Sequence, residues 1–350
     1  MHWTKKALNE GLGNYKAEWD KLNSDLFDNN PFFDSRFVDN LLIFFGNGKE
    51  YLFIHVSEDN TIDGLVILAK LNHIKWQVFT ASQAQIAPVL IKKSELLCSL
   101  FNYLGSTSMQ IDFLTQDPDY TFITKQDNKL YLFKKKHALT IGININENFQ
   151  KYWSTRNKNL RKNIKRYFNR AYKEFSDVRL MIRNTKSDIK DALIKYSILE
   201  TNGWKGKAGT AIQMGTSQGE FYNKVLSAFS EQNNANVYEL YFNDELVASR
   251  LAIYNSQMLI ILKTTYNEDY SSYAPGRLLL YKILEYEFKL LRVSSVELYT
   301  NASVDQLSWA TNSRYIEHIS IFRNKTSYLS YILLRKLRDL LRFSRVFGRQ

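Results

Sequence analysis

The chain contains 350 residues, of which 45% are hydrophobic and 14% aromatic, and it carries a formal net charge of +12. This length allows two domains or one large domain, and the hydrophobic fraction excludes global disorder. The single cysteine, Cys98, excludes an intramolecular disulfide framework and favours a reducing compartment. We find no apolar run long enough to span a membrane and no apolar signal region at the N-terminus, so we expect a cytoplasmic protein.

The positive charge is concentrated in two stretches. Residues 151–173 contain nine Lys or Arg and no acidic residue, whereas residues 335–349 contain six basic residues and one acidic residue, Asp339. A solvated helix face normally mixes charges of both signs. The first stretch therefore favours a phosphate-rich partner, with a plain solvated face as the alternative.

The first half of the chain predicts helices around a group of strands. Residues 1–30 have a polar helical pattern that ends at Asn29-Asn30-Pro31. Alternating and apolar runs follow and predict strands, and residues 94–104 predict a helix. The predicted strands are 51–56, 64–71, 75–80 and 109–115, with further strands between 119 and 143.

The second half of the chain begins with a predicted helix. This helix starts at Ser154, its expected N-cap, and reaches Phe175. The remaining predictions rest on the same periodicities. In order, they are a strand at 177–183, helices at 187–202 and 219–232, strands at 237–242, 246–254 and 257–263, a helix at 276–291 and a strand at 295–300.

The two halves share one order of elements, which is three strands, a helix and a fourth strand. Strands that begin near residues 51, 64, 75 and 109 recur near residues 237, 246, 257 and 295, at an almost constant offset. Such self-similarity indicates an internal duplication.

A candidate anion site lies where the third strand of the second half leads into its helix. The apolar run at 258–262 is followed by a polar loop and then by Pro275-Gly276. Proline suits the first turn of a helix, and glycine lets a ligand approach the unpaired backbone N–H groups. Those amides and the helix dipole attract phosphate, to which Arg277 would add a charge-assisted contact.

Three motifs in this order resemble the CelD-like acyltransferases, which are distant relatives of the FemABX aminoacyl transferases. The first is Ser154-Thr-Arg-Asn-Lys-Asn-Leu-Arg-Lys-Asn-Ile-Lys-Arg166, and the second is Glu200-Thr-Asn-Gly-Trp-Lys-Gly206. The third runs from Lys263-Thr-Thr-Tyr266 to Ala274-Pro-Gly276. Together the motifs cover about half of the chain.

The resemblance implies an α/β (α+β) fold of two tandem GNAT-like modules, each a mixed, mostly antiparallel sheet flanked by helices. A splayed strand pair is expected in the second module. The implied domains are a degenerate module at 1–145, a donor-binding module at 146–325 and a basic amphipathic helix at 326–350.

The same resemblance implies acetyl-CoA or a longer acyl-CoA as the donor, with its pantetheine arm along residues 257–264. The implied donor-binding residues are Leu262, Lys263, Thr264, Tyr273, Pro275, Gly276 and Arg277. We expect no metal, because no His/Cys or carboxylate cluster has metal-ligand spacing.

Acyl transfer requires a base for the acceptor and an acid for the leaving thiolate. Glu200 is the candidate base or acceptor-binding carboxylate, and Tyr299 is the candidate acid. The candidate acceptor-binding residues are Arg161, Trp204, Lys205 and Trp309. Trp309 is all that remains of the Gly-Asp-x-x-Tyr-Lys-x-x-Trp pattern that the family tends to carry after its fifth strand, so the acceptor is not carried over with that pattern.

The expected function is transfer of an acyl group to an amine or hydroxyl of a sugar, a polysaccharide precursor or a small metabolite. One alternative is a FemABX-like enzyme that uses aminoacyl-tRNA, and another is a non-catalytic, membrane-associated scaffold of polysaccharide biosynthesis. The arginines at 335, 338, 342, 345 and 349 would let residues 328–349 contact an anionic membrane surface. Docking of the helix leucines on the protein itself is the interpretation that we favour for this segment.

Overall fold

A computed structural model describes residues 2–8, 11–123 and 130–347, and for 341–347 it describes the backbone alone. The chain divides into two compact units. Unit 1 comprises Met1–Phe27, Gly46–His137 and Tyr315–Gln350, and unit 2 comprises Asp28–Phe45 and Ala138–Arg314. The sequence-based boundaries at 145 and 325 stay a proposal, and Arg349 lies outside the described residues.

The strands are β1 (His2–Ala7), β2 (Glu50–Val56), β3 (Ile62–Lys70), β4 (Lys75–Val78), β5 (Leu90–Ile91), β6 (Gln110–Gln116), β7 (Tyr131–Asn144), β8 (Val178–Arg183), β9 (Ala235–Phe242), β10 (Glu245–Tyr254), β11 (Met258–Tyr266), β12 (Ser295–Leu298) and β13 (Asn312–Phe322). The α-helices are α1 (Lys16–Phe27), α2 (Ser35–Phe45), α3 (Glu95–Tyr103), α4 (Phe149–Thr155), α5 (Lys158–Glu174), α6 (Lys186–Asn202), α7 (Trp204–Lys207), α8 (Ser217–Ser230), α9 (Pro275–Leu290), α10 (Val304–Leu307) and α11 (Lys325–Phe347).

Unit 1 is built on a mixed sheet. Strands β1 to β4 pair antiparallel in sequence order, β6 pairs parallel with β4, and β13 pairs antiparallel with β6. Its core includes Phe53, Trp76, Leu97 and Phe113. The helical prediction for residues 1–30 is wrong at its start, because His2–Ala7 forms β1 and buries only Trp3 among its six residues.

Unit 2 repeats this arrangement. Strands β8 to β11 pair antiparallel in order, β12 pairs parallel with β11 after the crossover helix α9, and β7 pairs antiparallel with β12. Its apolar core forms between the sheet and α5 and α9. In both units a helix lies between the two parallel strands in chain order, α3 in unit 1 and α9 in unit 2. The duplicated mixed fold that the sequence predicts is therefore confirmed.

Strands β11 and β12 stay together for a short distance. Residues 258–260 pair in parallel with residues 295–297. On its other side β11 remains paired with β10 as far as Tyr266. Along these two fully described strands, β12 pairs with no residue of β11 after Ile260. The expected splayed pair is therefore present, and it leaves one edge of β11 open.

The basic stretch forms two helices where the sequence predicts one. Arg156 ends α4, and Asn157 caps α5 by accepting a hydrogen bond from the Leu160 backbone N–H at 2.7 Å. Asparagine is among the best N-cap residues, whereas Ser154 lies inside α4 and bonds back to the Lys151 carbonyl at 2.8 Å.

Helix α11 leaves five of its leucines in solvent, so the docking that we favoured from the sequence is wrong. Leu329, Leu333, Leu334, Leu337 and Leu340 are 46–66% exposed. The helix contacts the rest of unit 1 through aromatic side chains instead, since Tyr328 and Tyr331 both pack against Phe322. Among the described residues, no helix is long and apolar enough to cross a membrane.

A buried ion pair anchors the end of α9 to the sheet of unit 2. The Glu287 carboxylate is fully buried and accepts two hydrogen bonds from the Arg292 guanidinium, at 2.8 and 2.7 Å. The Tyr238 hydroxyl of β9 donates to the same carboxylate at 2.5 Å. The anchor therefore fixes the C-terminal end of α9, which lies opposite to its start at Pro275.

Replacing Arg292 by Met should cost about 3 kcal/mol of unfolding free energy, because it leaves the Glu287 carboxylate buried without a counter-charge. The double variant Glu287→Gln/Arg292→Met removes both charges and keeps an acceptor for Tyr238, so it should recover most of that loss. Urea unfolding measures both variants. A double variant no more stable than Arg292→Met would contradict this account.

Candidate functional site

A cavity of about 610 Å³ opens in unit 2 beside the splayed strands. Its walls come from the end of β11, the start of α9, Ile141 of β7, Leu298 of β12 and the segment 303–309. Of the residues that the sequence singles out for a site, the cavity is lined by Thr264, Pro275, Gly276, Arg277 and Trp309.

Helix α9 begins at this cavity without a side-chain cap. Its N-cap residue, Ala274, has a left-handed backbone with φ of 50°, which is costly for a residue that carries a Cβ. The Ala274 carbonyl accepts from the backbone N–H groups of Arg277 and Leu278, at 2.9 and 3.2 Å. A Cβ added to Gly276 would meet just one described atom within 4 Å, Cδ1 of Tyr266 at 3.7 Å. The helix start is thus open to a ligand.

Arg277 borders the cavity, but its charge is already paired. The guanidinium contacts both carboxylate oxygens of Asp305, at 3.1 and 3.0 Å, and donates to the Tyr167 hydroxyl at 3.4 Å. A phosphate would therefore compete with Asp305 for this side chain.

Arg250 is a cavity residue that our sequence reasoning missed. It lies on β10, is 7% exposed and donates from Nη2 to the Gly276 carbonyl at 3.3 Å. Its buried Nε and Nη1 have no hydrogen-bond partner among the described residues. The available signal was an arginine within the apolar run Leu246-Val-Ala-Ser-Arg-Leu-Ala-Ile-Tyr254, because buried charges are rare without a reason.

Glu200 is buried at the end of α6, and three donors surround its carboxylate. It accepts from the Tyr196 hydroxyl at 3.0 Å, from Nζ of Lys205 at 2.5 Å and from the Ile212 backbone N–H at 2.7 Å. Nζ of Lys205 also donates to the Thr264 carbonyl at 2.9 Å. Glu200 therefore holds Lys205 against the part of β11 that is not paired with β12.

Lys263 and Trp204 lie near this network. Nζ of Lys263 is 5.8 Å from the centre of the Tyr222 ring, and burial lowers the pKa of this lysine. Trp204 is 57% exposed, and its backbone N–H donates to the Glu268 carboxylate at 2.8 Å. The indole therefore offers an exposed aromatic face next to Lys205.

The other predicted site residues lie outside the cavity lining, as far as the described residues define it. Tyr299 is buried, packs on Phe32 and accepts a hydrogen bond from Arg314 at 3.1 Å. Leu262 and Tyr273 are buried, and the Tyr273 hydroxyl donates to the Glu174 carboxylate. Their predicted roles stay proposals.

Helix α5 presents an exposed basic face beside the cavity. Its Tyr167 lines the cavity, and Nη1 of Arg170 donates to the Ser272 carbonyl of the loop before α9 at 2.6 Å. Within the part of the chain that the structure describes, none of its outer cations forms an ion pair with an acidic side chain. These exposed residues are Arg161, Lys162, Lys165 and Arg166.

A model of a known protein family matches the middle of the chain. Residues 158–302 match the family model described as "Acetyltransferase (GNAT) domain". This stretch is therefore similar to a GNAT-type acetyltransferase domain. The match covers the basic helix, the splayed strands and α9. No curated protein matches the chain in sequence.

Solved structures share the fold across most of the chain. FemX has a TM-score of 0.57 at 9% identity, covering 90% of this chain and 96% of its own. The C-terminal domain of a protein described as a lysylphosphatidylglycerol synthetase from Agrobacterium fabrum has a TM-score of 0.54 at 11% identity, covering 91% and 95%. L-PGS from Bacillus licheniformis has a TM-score of 0.50 at 13% identity, covering 92% and 95%. At these identities the similarity establishes the fold and not the substrate.

Replacing Lys205 by Met should cost about 2 kcal/mol of unfolding free energy, because the buried Glu200 carboxylate loses a charged donor. Lys207→Met is the matched control, since Lys207 is exposed two residues away, and its effect should stay below about 0.5 kcal/mol. Urea unfolding at neutral pH measures both variants. Equal losses for the two lysines would contradict the role assigned to Lys205.

Proposed function

We propose that this protein is an acyltransferase that takes its acyl group from a CoA thioester. The observation that carries the proposal is the coincidence, in one cavity, of an open β11 edge and an uncapped α9 start. The match of residues 158–302 to a GNAT acetyltransferase domain supports the same reaction class.

The residues present fit such a donor. An unpaired strand edge can hydrogen-bond an extended, amide-rich arm as an added strand, and we assign residues 262–264 to this contact. The start of α9 at Pro275 and Gly276 would hold the diphosphate, because its free amide and the helix dipole favour negative charge. When bound, the thioester supplies an acyl group with a good leaving group.

We assign the proton transfers first to the Glu200–Lys205 pair. A nucleophilic amine or hydroxyl must lose a proton, and the leaving thiolate must gain one. Lys205 lies between the Glu200 carboxylate and the Thr264 carbonyl, so it could donate at the thioester, while Glu200 could accept the proton that the acceptor loses. Tyr299 stays a second candidate for the acid.

The acceptor is proposed from the sequence resemblance as an amine or hydroxyl of a sugar, a polysaccharide precursor or a small metabolite. Three features support such an acceptor, namely the exposed Trp204 ring, the adjacent Lys205 ammonium and Trp309 in the cavity wall. Arg161 is exposed on α5, where it could contact an anionic part of the acceptor or donor.

The second candidate function is an aminoacyl transfer that uses aminoacyl-tRNA as the donor, and one observation favours it. The outer cations of α5 form no ion pair with any acidic side chain that the structure describes, and they make a face suited to a polyanion larger than CoA. They are Arg161, Lys162, Lys165 and Arg166. The fold likeness to FemX agrees with the FemABX-like alternative but does not choose the donor.

Calorimetric titration should show saturable binding of acetyl-CoA that Gly276→Glu abolishes, because a carboxylate at the helix start repels the diphosphate. Gly276→Gln is the control of equal size without charge, and Gly276→Ala should fold normally, since its Cβ would make one ordinary contact. We expect Gln to weaken binding less than Glu. Equal affinity for all four proteins would overturn the donor site.

The same titration with tRNA separates the two donors. A tRNA-dependent enzyme would bind tRNA with a steep salt dependence that is reduced when Arg161, Lys162, Lys165 and Arg166 are changed to Gln, and it would bind acetyl-CoA weakly. A CoA-dependent enzyme would show the reverse preference, and a long-chain acyl-CoA would then test the length of the acyl group.

We also propose that α11 holds the protein at an anionic membrane surface, as a peripheral contact on the cytoplasmic side. Its exposed leucines, from Leu329 to Leu340, form a stripe on a helix whose Tyr328 and Tyr331 face the protein. The helix is also strongly basic. Burial of leucines among lipid tails, with cations at the head groups, satisfies both features.

The protein should sediment with vesicles that contain phosphatidylglycerol and remain free with phosphatidylcholine alone. Leu333→Gln/Leu337→Gln should lose this binding at unchanged stability, because both side chains are already exposed. Ile194→Gln/Ile198→Gln is the matched control, since these isoleucines of α6 are also exposed. Vesicle binding that survives the leucine changes would contradict the proposal.

A non-catalytic scaffold would behave differently in the two assays. It would need α11 for membrane recovery and function, while Gly276→Glu would leave its function intact. An acyltransferase loses donor binding in Gly276→Glu whether or not α11 is present.

A further inference from the structure

The cavity contains a cation that no described residue neutralises. Arg250 is more than nine-tenths buried and lines the cavity at the base of the α9 start. The described residues form no ion pair with it, and two of its three nitrogens, Nε and Nη1, lack any hydrogen-bond partner among them. Burial lowers the pKa of its guanidinium to about 10, so the group stays positive at neutral pH.

Such an arrangement is unfavourable for the protein alone. A desolvated guanidinium normally pairs with a carboxylate and satisfies its five N–H groups. The other cavity arginine, Arg277, shows the ordinary solution, because Asp305 neutralises it. An anion from outside the chain would supply what Arg250 lacks.

The existing contact of Arg250 is weak enough to be exchanged. Its hydrogen bond to the Gly276 carbonyl is long, at 3.3 Å, and joins a cation to a neutral acceptor. In a helix the C=O of a residue points toward the C-terminus and its N–H toward the N-terminus, so Arg250 and the free N–H of Gly276 lie on opposite sides of that residue. The cavity therefore has two separate sources of positive potential, the bare amide and the Arg250 side chain.

We propose that Arg250 is the receptor for an oxyanion, a phosphate or carboxylate group, that the donor brings into the cavity. Two parts of a donor have this chemistry, namely the diphosphate and an acidic acyl group. The assignment to the donor rests on the proposed function, whereas the anion site itself requires no turnover.

The test compares wild-type protein, Arg250→Met and Arg179→Met by thermal unfolding with inorganic pyrophosphate and with succinate. Arg179 lies on β8 outside the cavity lining, so Arg179→Met removes the same charge elsewhere. We expect at least one anion to raise the melting temperature of the wild type and of Arg179→Met, and neither to raise that of Arg250→Met. Without anions, Arg250→Met should melt at or above the wild-type temperature, because an unpaired buried charge is gone.

An Arg250→Met protein that keeps the anion response, or a wild type that shows none, would overturn the inference. A variant that unfolds at a lower temperature and still responds to the anion would mark Arg250 as structural and would overturn it as well.

Titration with two thioesters identifies the source of the oxyanion. If the diphosphate binds Arg250, Arg250→Met should weaken acetyl-CoA and succinyl-CoA alike, by at least about tenfold. If the acyl carboxylate binds, only succinyl-CoA should weaken. A wild type that binds neither thioester but responds to pyrophosphate or succinate would refute the proposed function and leave the anion site standing.

Discussion

The divergence of β12 from β11 after Ile260 is the constraint on which the site depends. Each strand is held on its far side, β11 by β10 and β12 by β7, so the gap between them is part of the sheet. The cavity occupies this gap, and its apolar walls include Ile141, Leu298 and Trp309. Continuous pairing of β11 with β12 would close it. The unpaired edge and the helix start thus become available through one feature of the sheet.

Positive potential in the cavity comes from few groups. The α9 start has no side-chain cap, and Arg250 beneath it has no described counter-ion. Arg277 adds little net charge, since Asp305 pairs with it. The exposed cations of α5 lie on a helix that borders the cavity through Tyr167. Positive charge in and beside the cavity therefore comes from the helix start, from Arg250 and from this one flanking helix.

The sequence was sufficient for the repeated order of elements and the helix start at Pro275. Local patterns encode these two features, because apolar runs, proline and glycine act within a few residues. The splayed strands were expected from the family resemblance and not from such a pattern. The sequence could not reveal that Asp305 neutralises Arg277, since the two lie far apart in the chain. The burial of Glu200 by Tyr196, Lys205 and Ile212 is likewise a tertiary effect.

Other errors have equally physical causes. Residues 2–7 form a strand although their polar composition hides it, because pairing with β2 supplies the hydrogen bonds. The leucines of α11 were expected to be buried, since an apolar helix stripe usually marks a core-facing side. Tyr328 and Tyr331 supply the contact with the protein instead, so the leucine stripe remains available for another surface.

Hydrogen exchange with and without acetyl-CoA tests most directly whether the open β11 edge and the α9 start receive the donor. The account predicts that acetyl-CoA slows exchange of the backbone amides at 262–264 and 276–278, while the paired stretch 258–260 is unchanged. Saturable binding that leaves both segments unprotected would contradict it.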